Sequence, residues 1–138
     1  MKEIINVGFT GTRKGMSWNQ EVRLVELFSS LKAQGYDIEF HHGCCIGADC
    51  QADRIARNFG AKMHLHPSND PKTRVNCFEP GDTICPERPP LVRDQDIVYS
   101  VNILYAAPLT DKEVVRSGTW TTVRMARKRK IKIEVMKR

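Results

Sequence analysis

Apolar positions along the chain follow two alternating rhythms, short β-branched runs and longer stretches at helical spacing. Ile4 to Phe9 is a short apolar run that leads into Gly8-Phe9-Thr10-Gly11-Thr12-Arg13, so it predicts a buried strand entering a tight loop. Ser17-Trp18-Asn19-Gln20 has the form of a capping box, and Val22, Val25, Phe28 and Leu31 then keep helical spacing up to a stop at Gly35. Asp37 to His41 predicts a second strand. It opens through His42-Gly43-Cys44-Cys45-Ile46-Gly47 into a helix whose stripe is Ala48, Ala52, Ile55, Ala56 and Phe59, with Gly60 as its cap. Lys62 to His66 is the third strand, and Pro67-Ser68-Asn69-Asp70-Pro71 breaks regular structure.

From about 67 to 90 no period is sustained, and Pro80, Gly81, Pro86, Pro89 and Pro90 predict an irregular excursion with room for one short helix. Pro89 or Pro90 starts the next helix, Val101 to Ala106 is a strand ended by Pro108, Ser117-Gly118-Thr119 opens a helix to about Arg129, and Ile131 to Val135 closes the set. Five strands alternating with helices predict an α/β fold. The class is a Rossmann-like, doubly wound parallel sheet of order 3-2-1-4-5 in a single domain spanning 1–138. In that order the winding reverses between strands 1 and 4, and ligands bind beyond the carboxyl ends of the strands there. The loops expected to meet are Gly8 to Arg13, the one after strand 4, and Ser117 to Thr121.

With 138 residues and 15.8 kDa, 41% hydrophobic and 28% charged, the composition is that of one folded core and excludes disordered and fibrous classes. No apolar run reaches the roughly 18 to 20 residues that span a bilayer, and Met1-Lys2-Glu3-Ile4-Ile5 is not a signal segment, so the expected location is the cytoplasm. The net charge of +6 is concentrated in the C-terminal half; Arg116 to Arg138 holds nine basic residues against Glu134 alone. Such a segment attracts polyphosphate or nucleic acid, or is a solvated helix face with Arg127 to Lys130 at a helix C-terminus. Cys44, Cys45, Cys50, Cys77 and Cys85 are expected as reduced thiols. His41, His42, His64 and His66 lie near some of them, so a zinc site is conceivable, but no spacing matches a zinc ligand pattern; neither a metal nor a resident cofactor is expected.

The chemistry-bearing residues fall in three loops. Gly8, Thr10, Gly11, Thr12 and Arg13 either satisfy strand-to-helix geometry or line a phosphate or ribose pocket with amides, hydroxyls and one cation. The glycine spacing departs from the dinucleotide fingerprint, and no acidic residue ends strand 2, which argues against a classical NAD site. Ser117, Gly118, Thr119, Trp120 and Thr121 start a helix, where free amides and hydroxyls favour an anion; Trp120 either stacks on a base or packs in the core. Arg116 and Arg93 are phosphate partners by position. Asp49, beside Gly43 and Gly47, is the carboxylate best placed for chemistry, although a helix start alone also explains it. Asp53 shares its face and pairs with Arg57 at i,i+4.

Taken in order, Val7-Gly8-Phe9-Thr10-Gly11-Thr12-Arg13, His42-Gly43 through Gly47-Ala48-Asp49, His66-Pro67 and Arg116-Ser117-Gly118-Thr119-Trp120 resemble the SLOG superfamily of Rossmann-like domains. More narrowly, they resemble its small YspA/YpsA-related branch of bacteria and phages. The superfamily includes the Lonely guy phosphoribohydrolases, DNA-processing protein A and the sensor domain of Thoeris antiphage effectors. The resemblance implies a nucleotide-like ligand at the switch point and a homodimer or higher homo-oligomer. Lonely guy enzymes carry a glutamate soon after the glycine-threonine of their loop, whereas Trp120, Thr121, Thr122 and Val123 follow here. Arg93 matches that family's arginine before the fourth strand. The resemblance therefore implies binding rather than catalysis.

Three functions follow as expectations. The first is a binding module for a nucleotide or ADP-ribose-like molecule, acting as a sensor or sponge. The second is an N-glycosidase or nucleotide phosphoribohydrolase using Asp49 or another acid not identified from the sequence. The third is a DNA binder, ranked last because no aromatic run interleaves with the basic residues.

Overall fold

The computed structural model describes residues 2–138. Its elements are β1 (Ile4–Gly11), α1 (Trp18–Ala33), β2 (Asp37–His42), α2 (Ala48–Asn58), β3 (Lys62–Leu65), β4 (Thr83–Ile84), α3 (Pro90–Ser100), β5 (Ile103–Ala107), α4 (Gly118–Arg129) and β6 (Lys132–Val135). All strands run parallel in one sheet of order β4-β3-β2-β1-β5-β6. The predicted order holds for the five expected strands, and the correction is a sixth at the edge. Thr83 and Ile84, inside the proline-rich excursion, pair with His64 and Leu65. Both are exposed. An edge strand of two residues needs no apolar periodicity to be held by backbone bonds, so hydrophobic patterning is blind to it. The excursion holds this strand and no helix.

β1 is central and staggered. Its first half pairs with β2, Ile4 opposite Asp37 to Gly8 opposite His41, and its second half with β5, Val7 opposite Ile103 to Gly11 opposite Ala107. Alternate side chains go to opposite faces, as pleating requires. Val7, Phe9, Phe40, Leu65 and Tyr105 pack with Leu24 and Phe28 of α1 and Ala48, Ala52 and Ala56 of α2. Leu104 and Ala106 pack with Val98 of α3 and Trp120, Val123 and Ala126 of α4. On that second face β2 and β3 carry Glu39, His41 and His64 in place of apolar residues.

Helix α1 starts as predicted: the Ser17 hydroxyl accepts from the Gln20 amide and the Gln20 side chain accepts from the Ser17 amide. Its buried face is Gln20, Leu24, Phe28 and Leu31, whereas Val22 and Val25 are exposed, a rotation from the predicted stripe. Gln20 causes it. Its Nε2 donates to Pro108 O at 2.9 Å and Met136 O at 3.1 Å, so a buried amide ties α1 to the ends of β5 and β6.

Candidate functional site

The loops after β1 and β5 diverge to opposite faces of the sheet, and a cleft of about 740 Å³ opens above their carboxyl ends. This is the switch-point position, and the size suits a ligand of a few rings. Thr10, Gly11, Thr12 and Arg13 line it from β1; Gly43 and Asp49 from the β2–α2 loop and α2; Arg93 from α3; and Arg116, Ser117, Gly118 and Thr119 from the start of α4.

The β2–α2 side is built as an internally bonded floor. Asp49 is buried, and its Oδ2 accepts from the Gly43 amide at 3.1 Å and the Cys45 amide at 3.2 Å. Burial raises the Asp49 pKa above the ordinary carboxylate value, against the pull of His42, Arg93 and those two amides. Arg93 is also buried. Its Nη1 donates to Gly43 O at 2.6 Å and His66 O at 3.3 Å, Nε to Asp94 Oδ1 at 2.7 Å and Nη2 to Cys45 Sγ at 3.5 Å. Of five guanidinium donors this leaves one N–H, on Nη2. Burial works against the Arg93 charge, but Asp94, Cys45 and Asp49 outweigh it and hold the pKa above its usual value. Burial pushes Asp94 up and Cys45 up to about 11. Gly43 is glycine because a Cβ there would collide with the Arg93 guanidinium.

The opposite side is unmatched. Ser117 caps α4 by accepting from the Trp120 amide at 3.2 Å, and the Thr121 amide bonds Ser117 O at 2.8 Å. Among the described residues, the Gly118 and Thr119 amides reach no acceptor. Arg13, Lys14 and Arg116 are exposed and make no ion pair among those residues. Free helix-start amides with cations nearby are chemically suited to an anion.

No protein-family model and no curated protein matches the chain in sequence. Solved structures match it in fold. The molybdenum cofactor binding protein from the phototrophic bacterium Rippkaea orientalis superposes with a TM-score of 0.64 at 17% identity, over 98% of this chain and 76% of that one. The Moco carrier protein from Chlamydomonas reinhardtii gives 0.64 at 21% identity, over 99% and 76%. DNA processing protein A from Streptococcus pneumoniae gives 0.68 at 17% identity, over 96% of this chain and 50% of that one, so this chain spans half its length. The chain shares the Rossmann-like fold of these structures.

Four predicted site residues stand away from the cleft. Gly8 faces α3, where a Cβ would press on Ile97 and Val101. Gly47, at φ +86°, lets the α2 start pass against the Arg13 carbonyl, so it shapes the loop. Trp120 is a buried core residue beneath α4 beside Val98 and Leu104 and does not line the cleft. Thr121 accepts from Arg124 Nη2 at 3.1 Å on the helix flank. Conversely Cys45, Ile46, Asp70, Thr73, Asp94, Leu91, Leu109 and Val114 line the cleft without having been predicted to. Asp70 and Thr73 arrive because the Ile46 amide bonds Thr73 O at 2.9 Å, a pairing across the excursion with no local sequence signal. Asp94 alone had one, as the neighbour of Arg93.

Proposed function

We propose that the cleft binds a nucleotide-derived, phosphate-bearing small molecule of the nucleotide or ADP-ribose type and releases it unchanged. The observation that carries this reading is the unmatched side of the cleft, where the free Gly118 and Thr119 amides stand with Arg13, Lys14 and Arg116. Phosphate oxygens are the acceptors that free helix-start amides and cationic side chains bind best. Asp70 and Asp94 offer acceptors for ribose hydroxyls. Binding is favoured over turnover because Asp49, the carboxylate best placed for N-glycosidic chemistry, is engaged by two backbone amides. The molybdenum-cofactor-binding neighbours are in keeping with a small-molecule site on this fold. In this reading the chain is a sensor or sponge in the cytoplasm. It acts as a homo-oligomer whose second copy covers the apolar rim of Leu91, Leu109, Val114 and Val115, all exposed.

Native mass spectrometry of freshly purified protein, followed by titration with AMP and ADP-ribose, tests this. The expected result is a saturable complex with ligand recovered intact. Release of free base from either probe would overturn it in favour of an N-glycosidase. Indifference to both probes, with single-stranded DNA binding that falls steeply with salt, would overturn it in favour of the DNA-binding reading.

A further inference from the structure

A second cluster of chemistry-bearing side chains lies beneath the cleft floor, between the β2–α2 loop and the excursion. His42, Cys44 and Cys77 bring one imidazole nitrogen and two sulfurs within 4.8 Å of one another. The sulfurs are 3.6 Å apart. That is far beyond the roughly 2.05 Å of a disulfide, and all five cysteines are free. It is close to the sulfur–sulfur edge, about 3.8 Å, of a tetrahedron with metal–sulfur bonds of about 2.3 Å.

We propose that His42, Cys44 and Cys77 form a binding site for one thiophilic divalent metal ion such as Zn²⁺, clamping the excursion to the loop that floors the cleft.

The surroundings suit this ligand set. His42 and Cys44 are fully buried. His42 Nε2 donates to Asp53 Oδ2 at 2.7 Å, the carboxylate–imidazole pairing that orients metal-bound histidines. Arg57 in turn holds Asp53 Oδ1 at 2.7 Å and donates to the Cys77 carbonyl at 3.2 Å, so one cation positions both the carboxylate and the Cys77 segment. His42 Nδ1 accepts from the Cys44 amide at 3.1 Å, and coordination at Nδ1 exchanges that hydrogen bond for a metal bond. Cys44 adopts φ +54°, a left-handed conformation that glycine would hold without strain, and there its sulfur meets Cys77. The Val75 amide on Cys44 O at 2.8 Å fixes the two segments in register. Binding is a proton exchange with no redox step. A divalent ion displaces one proton from each thiol to solvent and is neutralised by the two thiolates, with water in the remaining position. Cys44 and Cys77 lie 33 residues apart in sequence, outside any compact ligand spacing, so the pattern was invisible in the sequence.

The test is loading of reduced, full-length protein with Zn²⁺, counting bound metal by elemental analysis, and Co²⁺ titration followed by thiolate-to-metal charge-transfer absorption. The expected result is one ion per chain with that absorption. Cys77→Ser, at a half-buried position, abolishes the charge-transfer signal while the far-UV spectrum stays native. Cys85→Ser, outside the cluster, leaves the signal intact. Asp53→Asn lowers affinity by about 10- to 100-fold. The proposal is overturned by folded, reduced protein that takes up no ion, by an unchanged Co²⁺ spectrum in Cys77→Ser, or by purified protein whose mass is two hydrogens short from a Cys44–Cys77 disulfide. AMP and ADP-ribose titrations of Cys77→Ser distinguish loss of the metal site from failure of the cleft reading.

Discussion

The two sides of the cleft differ in how fully their polar groups are matched within the chain. On the β2–α2 side, Asp49, Arg93, Asp94 and the Gly43 and Cys45 backbone bond one another, with Asp49, Arg93 and Gly43 buried and Asp94 and Cys45 half-buried. On the β1 and α4 side, Arg13, Lys14, Arg116 and two helix-start amides find no partner among the described residues, and the three cations are exposed. The difference separates residues that build the site from residues free to recognise something. A buried charge must be neutralised by the fold itself, because leaving it unpaired costs several kcal/mol, whereas an exposed cation is already satisfied by water and exchanges it cheaply for a ligand.

The largest break in that contrast comes from the floor. Asp49→Ala strands the Gly43 and Cys45 amides and removes a counter-charge of Arg93, and the expected loss is about 3 kcal/mol in urea denaturation. A loss under about 1 kcal/mol, coupled with loss of ligand binding, would instead make Asp49 a recognition residue.

Next in size is a pH effect beneath the floor. His66, whose carbonyl accepts from Arg93, shares its Nε2 with His41 Nδ1 at 3.0 Å, and His41 Nε2 meets Asn6 Oδ1 at 2.9 Å. Burial lowers His41 to about 3 and His66 to about 4 from 6.5, with neighbouring histidines adding to the shift. Because the folded values lie below the unfolded one, this stability is present above pH 6.5 and is lost as pH falls towards 3. Each of the two histidines should account for a loss on the order of 2 kcal/mol between pH 6.5 and about pH 4.5, and His66→Gln should flatten that slope in thermal melts taken across the range.

On the open side, Arg116→Ala should leave stability within about 0.5 kcal/mol and weaken ADP-ribose binding about tenfold by calorimetry. Equal binding by the variant would remove Arg116 from the recognition surface. Smallest is Ser117→Ala, which deletes the α4 cap and should cost about 1 kcal/mol, read from the denaturation midpoint at unchanged slope.

Much of the fold was legible because it rests on local signals. The Ser17–Gln20 capping box, the Asp53–Arg57 pair at 2.7 Å and the start of α4 after Ser117 each depend on residues three or four apart. The site was legible loop by loop, since the strand order alone dictates which loops meet. Roles within it were not. Arg93 reads as a phosphate ligand by position, yet its partners are Gly43 and His66, 50 and 27 residues away. Trp120 reads as a stacking ring or a core residue with equal ease, and packing against Val98 and Leu104 decides for the core.

By itself, then, the order of residues determined the alternation of strands and helices, the parallel winding and the end of the sheet where a cleft opens, because periodicity, caps and crossover handedness act over a turn or a single connection. Only the tertiary structure decided which polar groups are matched and which are left open. It also decided that β4 joins the sheet, that Gln20 turns α1, and that Cys77 comes to rest against Cys44. Hydrogen bonds and sulfur contacts are short-range in space and indifferent to separation along the chain, so they exist only once distant segments have been brought together.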